Sequence, residues 1–114
     1  MVYDLEERTF QFAKRVRLYV KKLPKTIANI DDGKQVVRAS GSVGANYIEA
    51  NEALSRKDFL VRIKISRKEA KESAFFLRLI YETNKQEHEN DGIELQEEAV
   101  QLKKIFSAII EKSK

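Results

Sequence analysis

Four glutamates raise the first chemical question. Glu49 with Glu52, and Glu69 with Glu72, form two i,i+3 pairs in stretches of helical patterning. Carboxylates paired across neighbouring helices are part of the donor set of di-iron bundles, which also need Glu-x-x-His motifs. No Glu-x-x-His occurs in the chain, and its single histidine, His88, falls in a polar stretch expected to be a loop. The chain has no cysteine, so thiolate ligands and thiol nucleophiles are missing as well. One histidine offers no base for a hydroxyl nucleophile elsewhere. These residues predict no metal, no cofactor and no enzymatic activity.

Gly41-Ser42-Val43-Gly44 matches the GxxG of KH domains, but a KH module needs strands and no segment here alternates like one. It is not a phosphate loop either, because the spacing and the Gly-Lys-Ser/Thr ending are absent. A glycine inside a helix costs roughly 1 kcal/mol against alanine. Two of them among Ala39, Ser40, Ser42 and Ala45 therefore predict that another backbone passes close by.

Ser42, Asn46 and Glu49 share one helical face at steps of four and three, and Lys64, Lys68 and Lys71 do the same later in the chain. A buried Asn or Glu is costly unless it is hydrogen-bonded. Asn46 and Glu49 are thus expected to form a network with Lys68 or Lys71 that sets helix register.

The remaining candidates are cations. Lys14, Arg15, Arg17, Lys21, Lys22 and Lys25 belong to the first segment. Arg56, Lys57, Arg62, Lys64, Arg67, Lys68 and Lys71 belong to the third. Lys14, Arg15, Arg17, Lys21, Lys22, Arg62 and Arg67 are the candidate nucleic-acid contacts, and a solvated charged face is the alternative. Phosphate binding by such residues is salt-dependent and largely blind to sequence.

The elements that carry these residues follow from the patterning. The chain has 114 residues, of which 35% are charged, and only 4 Gly and 1 Pro. Many charges and few breakers describe long amphipathic helices in one domain spanning 1–114. The net charge of +4 is unevenly spread. Residues 1–25 carry seven Lys/Arg against three Asp/Glu, and residues 55–83 eight against four, whereas 26–54 and 84–114 are net acidic.

Leu5, Phe12, Val16, Tyr19, Val20 and Leu23 predict a first helix from about 4 to 23, stopped by Pro24. Ile27, Ile30, Val37, Gly44 and Ile48 predict a second from about 25 to 53, with Asp31-Asp32-Gly33 as a site for a kink or boundary. Ser55 and Asp58 resemble a capping box that opens a third helix running to about Thr83, with Phe59, Ile63, Ser66, Ala70, Ala74, Leu77 and Tyr81 inward. Asn84 to Gly92 carry turn chemistry and predict a loop. Leu95, Ala99, Leu102, Ile105, Phe106, Ile109 and Ile110 predict a fourth helix from about 93 to 111. Short connections make sequential helices antiparallel neighbours, so the expected fold is an all-α, up-down-up-down four-helix bundle with the first and third helices diagonal. Phe10, Leu18, Ile65 and Phe76 lie off the inward stripes and call for cover by another subunit.

Val36 to Ile80 carries Ser42-Val43-Gly44-Ala45-Asn46-Tyr47-Ile48-Glu49-Ala50, then Asp58-Phe59, then Lys68-Glu69-Ala70-Lys71-Glu72. With Arg8-Thr9-Phe10 and Leu23-Pro24, these motifs resemble the four helix bundle protein family, also called 23S rRNA-intervening-sequence proteins. The resemblance implies a ring-like homopentamer. It also implies kinship with the accessory protein of diversity-generating retroelements, which binds nucleic acid and a reverse transcriptase. The family name records where the genes lie, not a ribosomal role. The start, Met1-Val2-Tyr3-Asp4-Leu5-Glu6-Glu7, lacks the basic and apolar regions of a signal peptide, and no apolar run is long enough for a bilayer, so no membrane partner is expected. The absence of cysteine fits a reducing cytoplasm. The function expected is a non-enzymatic homo-oligomeric scaffold for RNA, DNA or a nucleoprotein. The alternative is a structural or protein-interaction module without nucleic-acid affinity.

Overall fold

The computed structural model describes residues 4–114; Met1, Val2 and Tyr3, and with them the first part of the expected acidic start, lie outside the described residues. Four α-helices follow in order: α1 (Leu5–Lys22), α2 (Ile27–Asn51), α3 (Arg56–Thr83) and α4 (Glu89–Lys112), with a single 3-10 turn, Gln86–His88, ahead of α4. The fold is the expected all-α four-helix bundle.

Local chemistry explains the helix starts and the first stop. The Asp4 carboxylate accepts from the Glu7 N–H and opens α1. Thr26 and Ser55 do the same for α2 and α3, accepting from Asn29 and Asp58. Leu23, ahead of Pro24, is extended with ψ 145° and ends α1.

Contacts across the helices fix their directions. On α1, Arg8, Arg15 and Lys22 pair with Glu98, Glu94 and Asp91 of α4, so one series rises as the other falls. Between α2 and α3, Ser66 Oγ donates to the Val43 carbonyl, while Arg38 meets Glu69 and Glu72. Both pairs of helices are antiparallel. α3 packs along α2 and α4, and α1 lies diagonal to it against the other two. Phe12, Val16, Ile63, Leu77, Leu102 and Phe106 fill the interior. At one end Asn29 and Asn84 exchange amide hydrogen bonds of 2.7 and 2.9 Å, tying the start of α2 to the end of α3.

Three boundary and stripe expectations need correction. The second helix runs unbroken through Asp31-Asp32-Gly33, because Gly33 is a contact and not a break: a Cβ there would meet Val20 Cγ1 at 3.0 Å. Its inward face is Asn29, Gly33, Val36, Ala39, Ser40, Val43, Gly44 and Ala50. Ile27, Ile30 and Ile48, expected inside, are exposed, because the small residues are the ones that admit close neighbours. The fourth helix begins at Glu89, not Ile93. Asn90-Asp91-Gly92 reads as a turn in sequence, yet Gly92 is buried under Tyr19 and Tyr81, where no side chain fits.

Candidate assembly and nucleic-acid surfaces

The expected polar network takes a different form. Asn46 donates to the Ser42 carbonyl at 2.9 Å and accepts from Arg62 at 3.0 Å. Glu49, Lys68 and Lys71 are exposed, so the expected buried contact between Glu49 and these lysines is not made. The buried carboxylate is Glu69, and its cation is Arg38 of α2. Burial pushes the Glu69 carboxyl above its ordinary value, with the neighbouring Glu72 adding to the shift. Glu72 moves the other way, chiefly through its hydrogen bond with Glu69 and then through Arg38. Among the described residues no three His, Asp or Glu side chains gather as metal ligands.

The cations expected to bind nucleic acid fall into separate places. Arg15 pairs with Glu94 at 3.8 Å and Lys22 with Asp91 at 3.3 Å. With Arg8 and Glu98 these make a ladder at seven-residue steps on α1, which neutralises that side of the helix. Arg17 donates to the carbonyls of Ala13 and Val37. Arg62 is held by Asn46, and Arg67 is half-buried on α3. Because α1 and α3 are diagonal, no single patch on one subunit unites the seven residues.

Lys14, Arg17 and Lys21 instead rim a groove of about 540 Å³ between α1 and α2. Its floor is Gly41, Gly44 and Ala45, and its walls are Phe10, Leu18 and Ile48. Phe10 is 59% exposed and Leu18 48%, as their off-stripe positions imply, whereas Ile65 and Phe76 are partly covered by the bundle itself. The close approach expected of the glycines is real: a Cβ on Gly44 would stand 2.7 Å from Thr9 Oγ1.

A second surface was only partly legible. Lys57, Lys64, Lys68 and Lys71 are all exposed and project from one side of α3. Lys57, Lys64 and Lys71 make no ion pair among the described residues. The seven-residue recurrence 57, 64, 71 is visible in the sequence, but the spacing there also offers Lys68 and Lys71 to a network with Asn46 and Glu49.

A family model described as 23S rRNA-intervening sequence protein matches residues 3–108. The chain belongs to that family. A similar fold is seen in the crystal structure of a protein of unknown function from the S23 ribosomal protein family of Bacteroides thetaiotaomicron VPI-5482. That protein is 28% identical, with a TM-score of 0.78, over 94% of this chain and 98% of its own. Comparison with curated proteins gives no match. Among the described residues no helix is long and apolar enough to cross a membrane.

Proposed function

We propose that this protein is a non-enzymatic, cytoplasmic, self-assembling scaffold that holds nucleic acid, or a nucleoprotein such as a reverse transcriptase with its template, on the outer face of α3. The observation that carries this reading is the separation of two unlike surfaces. The α1–α2 groove is apolar and open, as a subunit contact is before assembly. The lysine row of α3 points away from α1, and among the described residues Lys57, Lys64 and Lys71 make no ion pair, while Lys68 lies within electrostatic reach of Glu72. A ring-like pentamer, which the family resemblance favours, repeats that row around its circumference and multiplies the phosphates engaged.

Light scattering with and without Leu18→Glu, read beside binding of a labelled duplex across a salt series, tests the proposal. The expected results are an oligomer that Leu18→Glu dissociates, and an affinity that falls with salt. Four phosphate contacts per subunit give a log–log slope between about −3 and −4. A monomeric wild type removes the scaffold reading. Salt-independent or absent binding removes the nucleic-acid reading. The protein-interaction alternative draws on the α1–α4 ion-pair ladder, in which Glu94 and Asp91 partly offset the charge of Arg15 and Lys22.

A further inference from the structure

Phe75 is 61% exposed and stands on the same outer stripe of α3 as the lysines. At roughly 100° per residue, Lys57, Lys64, Lys68, Lys71, Phe75 and Arg78 fall within about 80° of arc. Lys71, without an ion-pair partner among the described residues, precedes Phe75 by one helical turn, and Arg78, paired with Glu82 at 2.7 Å, follows it by another. The ring is also held in place: Phe76 meets it edge-on, with centroids 5.3 Å apart and planes at 82°. An exposed, oriented aromatic face at the end of an unpaired lysine row has two parts of a single-strand binding track, namely charge for the backbone and a π-surface for a base. An apolar protein partner covering Phe75 would also have to desolvate Lys71, which has no ion-pair partner among the described residues, and the Arg78–Glu82 pair beside it, which is costly without a new acceptor for the lysine. A polyanion supplies that acceptor with its phosphates and covers the ring with a base. A duplex does not, because its bases are stacked on one another.

We infer that the α3 row is a site for single-stranded nucleic acid, in which Phe75 stacks a base while Lys64, Lys68 and Lys71 hold the preceding phosphates. This rests on the nucleic-acid reading above and narrows it to a substrate class. Lys64 lies about 16 Å from Phe75 along the helix axis, so the track is several nucleotides long.

Labelled oligo(dT), labelled oligo(U) and a labelled duplex, each titrated with wild type, Phe75→Ala, Phe75→Trp and the pair Lys64→Glu/Lys71→Glu, separate the two readings. Phe75→Ala is expected to weaken both single strands about tenfold and to leave duplex affinity and the oligomeric state unchanged. The chain has no tryptophan, so Phe75→Trp introduces a lone reporter. Its affinity should match wild type, and its emission should be quenched by oligo(dT) and oligo(U). Unchanged single-strand affinity in Phe75→Ala, unmoved tryptophan emission at saturation, or dissociation of the assembly by Phe75→Ala each overturns the stacking site. If the lysine pair still loses all binding in those cases, the nucleic-acid reading survives without it. If the lysine pair binds every probe as wild type does, the nucleic-acid reading itself fails.

Discussion

Glu69 and Glu72, one turn apart on α3, share a single guanidinium: Arg38 Nη1 lies 3.4 Å from Glu69 and Nη2 3.1 Å from Glu72. Only Glu69 is buried, with 6% of its side chain exposed. The arrangement places a carboxyl inside the α2–α3 contact with one half-exposed cation to balance it.

The stability of the bundle should therefore depend on pH through this pair. The folded Glu69 carboxyl is raised above 4.5 by burial, so its contribution is present below that pH and is lost as pH rises through the folded value. Glu72 is lowered, so its contribution is present above 4.5 and is lost as pH falls through its folded value. Glu69→Gln is expected to leave neutral stability unchanged or raised, and to abolish the loss that otherwise accompanies rising pH. Arg38→Ala should cost about 1–2 kcal/mol at neutral pH, less than a fully buried pair because Arg38 is half exposed, and less again in mild acid. Urea melts at mildly acidic and neutral pH check both signs; an Arg38→Ala cost that grows in acid contradicts the assignment.

Two glycines three residues apart should respond oppositely to alanine. At Gly44 the new Cβ meets Thr9 Oγ1 at 2.7 Å and Thr9 Cβ at 3.1 Å, so the α1–α2 crossing must open, for about 1–3 kcal/mol. At Gly41 the nearest atom is the movable Nη2 of Arg17 at 3.0 Å. There the gain in helix propensity, up to about 1 kcal/mol, should prevail. Thr9→Ala should relieve part of the Gly44→Ala cost, seen as favourable coupling in a double-mutant cycle. Equal effects at 41 and 44 would show that the close approach is not what selects glycine.

The Tyr19 hydroxyl is buried without a hydrogen-bond partner among the described residues. Burial, and after it Asp91 and Tyr81, push its phenol up to about 12. Tyr19→Phe should be neutral or stabilising by up to about 1 kcal/mol, since it removes a desolvated group that gains nothing. Gly92→Ala should be costly, because the Cβ meets the Tyr19 hydroxyl and Tyr81 Cβ, both at 2.6 Å. Tyr19→Phe relieves only the first of these, so rescue should be partial. Thermal melts of the single and double variants decide it; a Tyr19→Phe loss well above 1 kcal/mol means the hydroxyl is bonded.

The helices and the bundle were readable from the chain because their causes are local. Asp4, Thr26 and Ser55 cap the segments that follow, Pro24 stops the one before it, and the apolar spacing on α1, α3 and α4 marks the faces found inside. On α2 the same logic misplaced the inward face. Its isoleucines are the larger apolar residues, but glycine, alanine and serine admit the neighbouring helices, and only the three-dimensional crossing shows which side is crossed. Gly92 was read as a turn for the same reason: its need for no side chain is set by Tyr19 and Tyr81, far away in sequence. Charge was countable from the chain but its availability was not. Whether a lysine is paired depends on what another helix places beside it, so tertiary structure alone separated the neutralised side of α1 from the open row of α3.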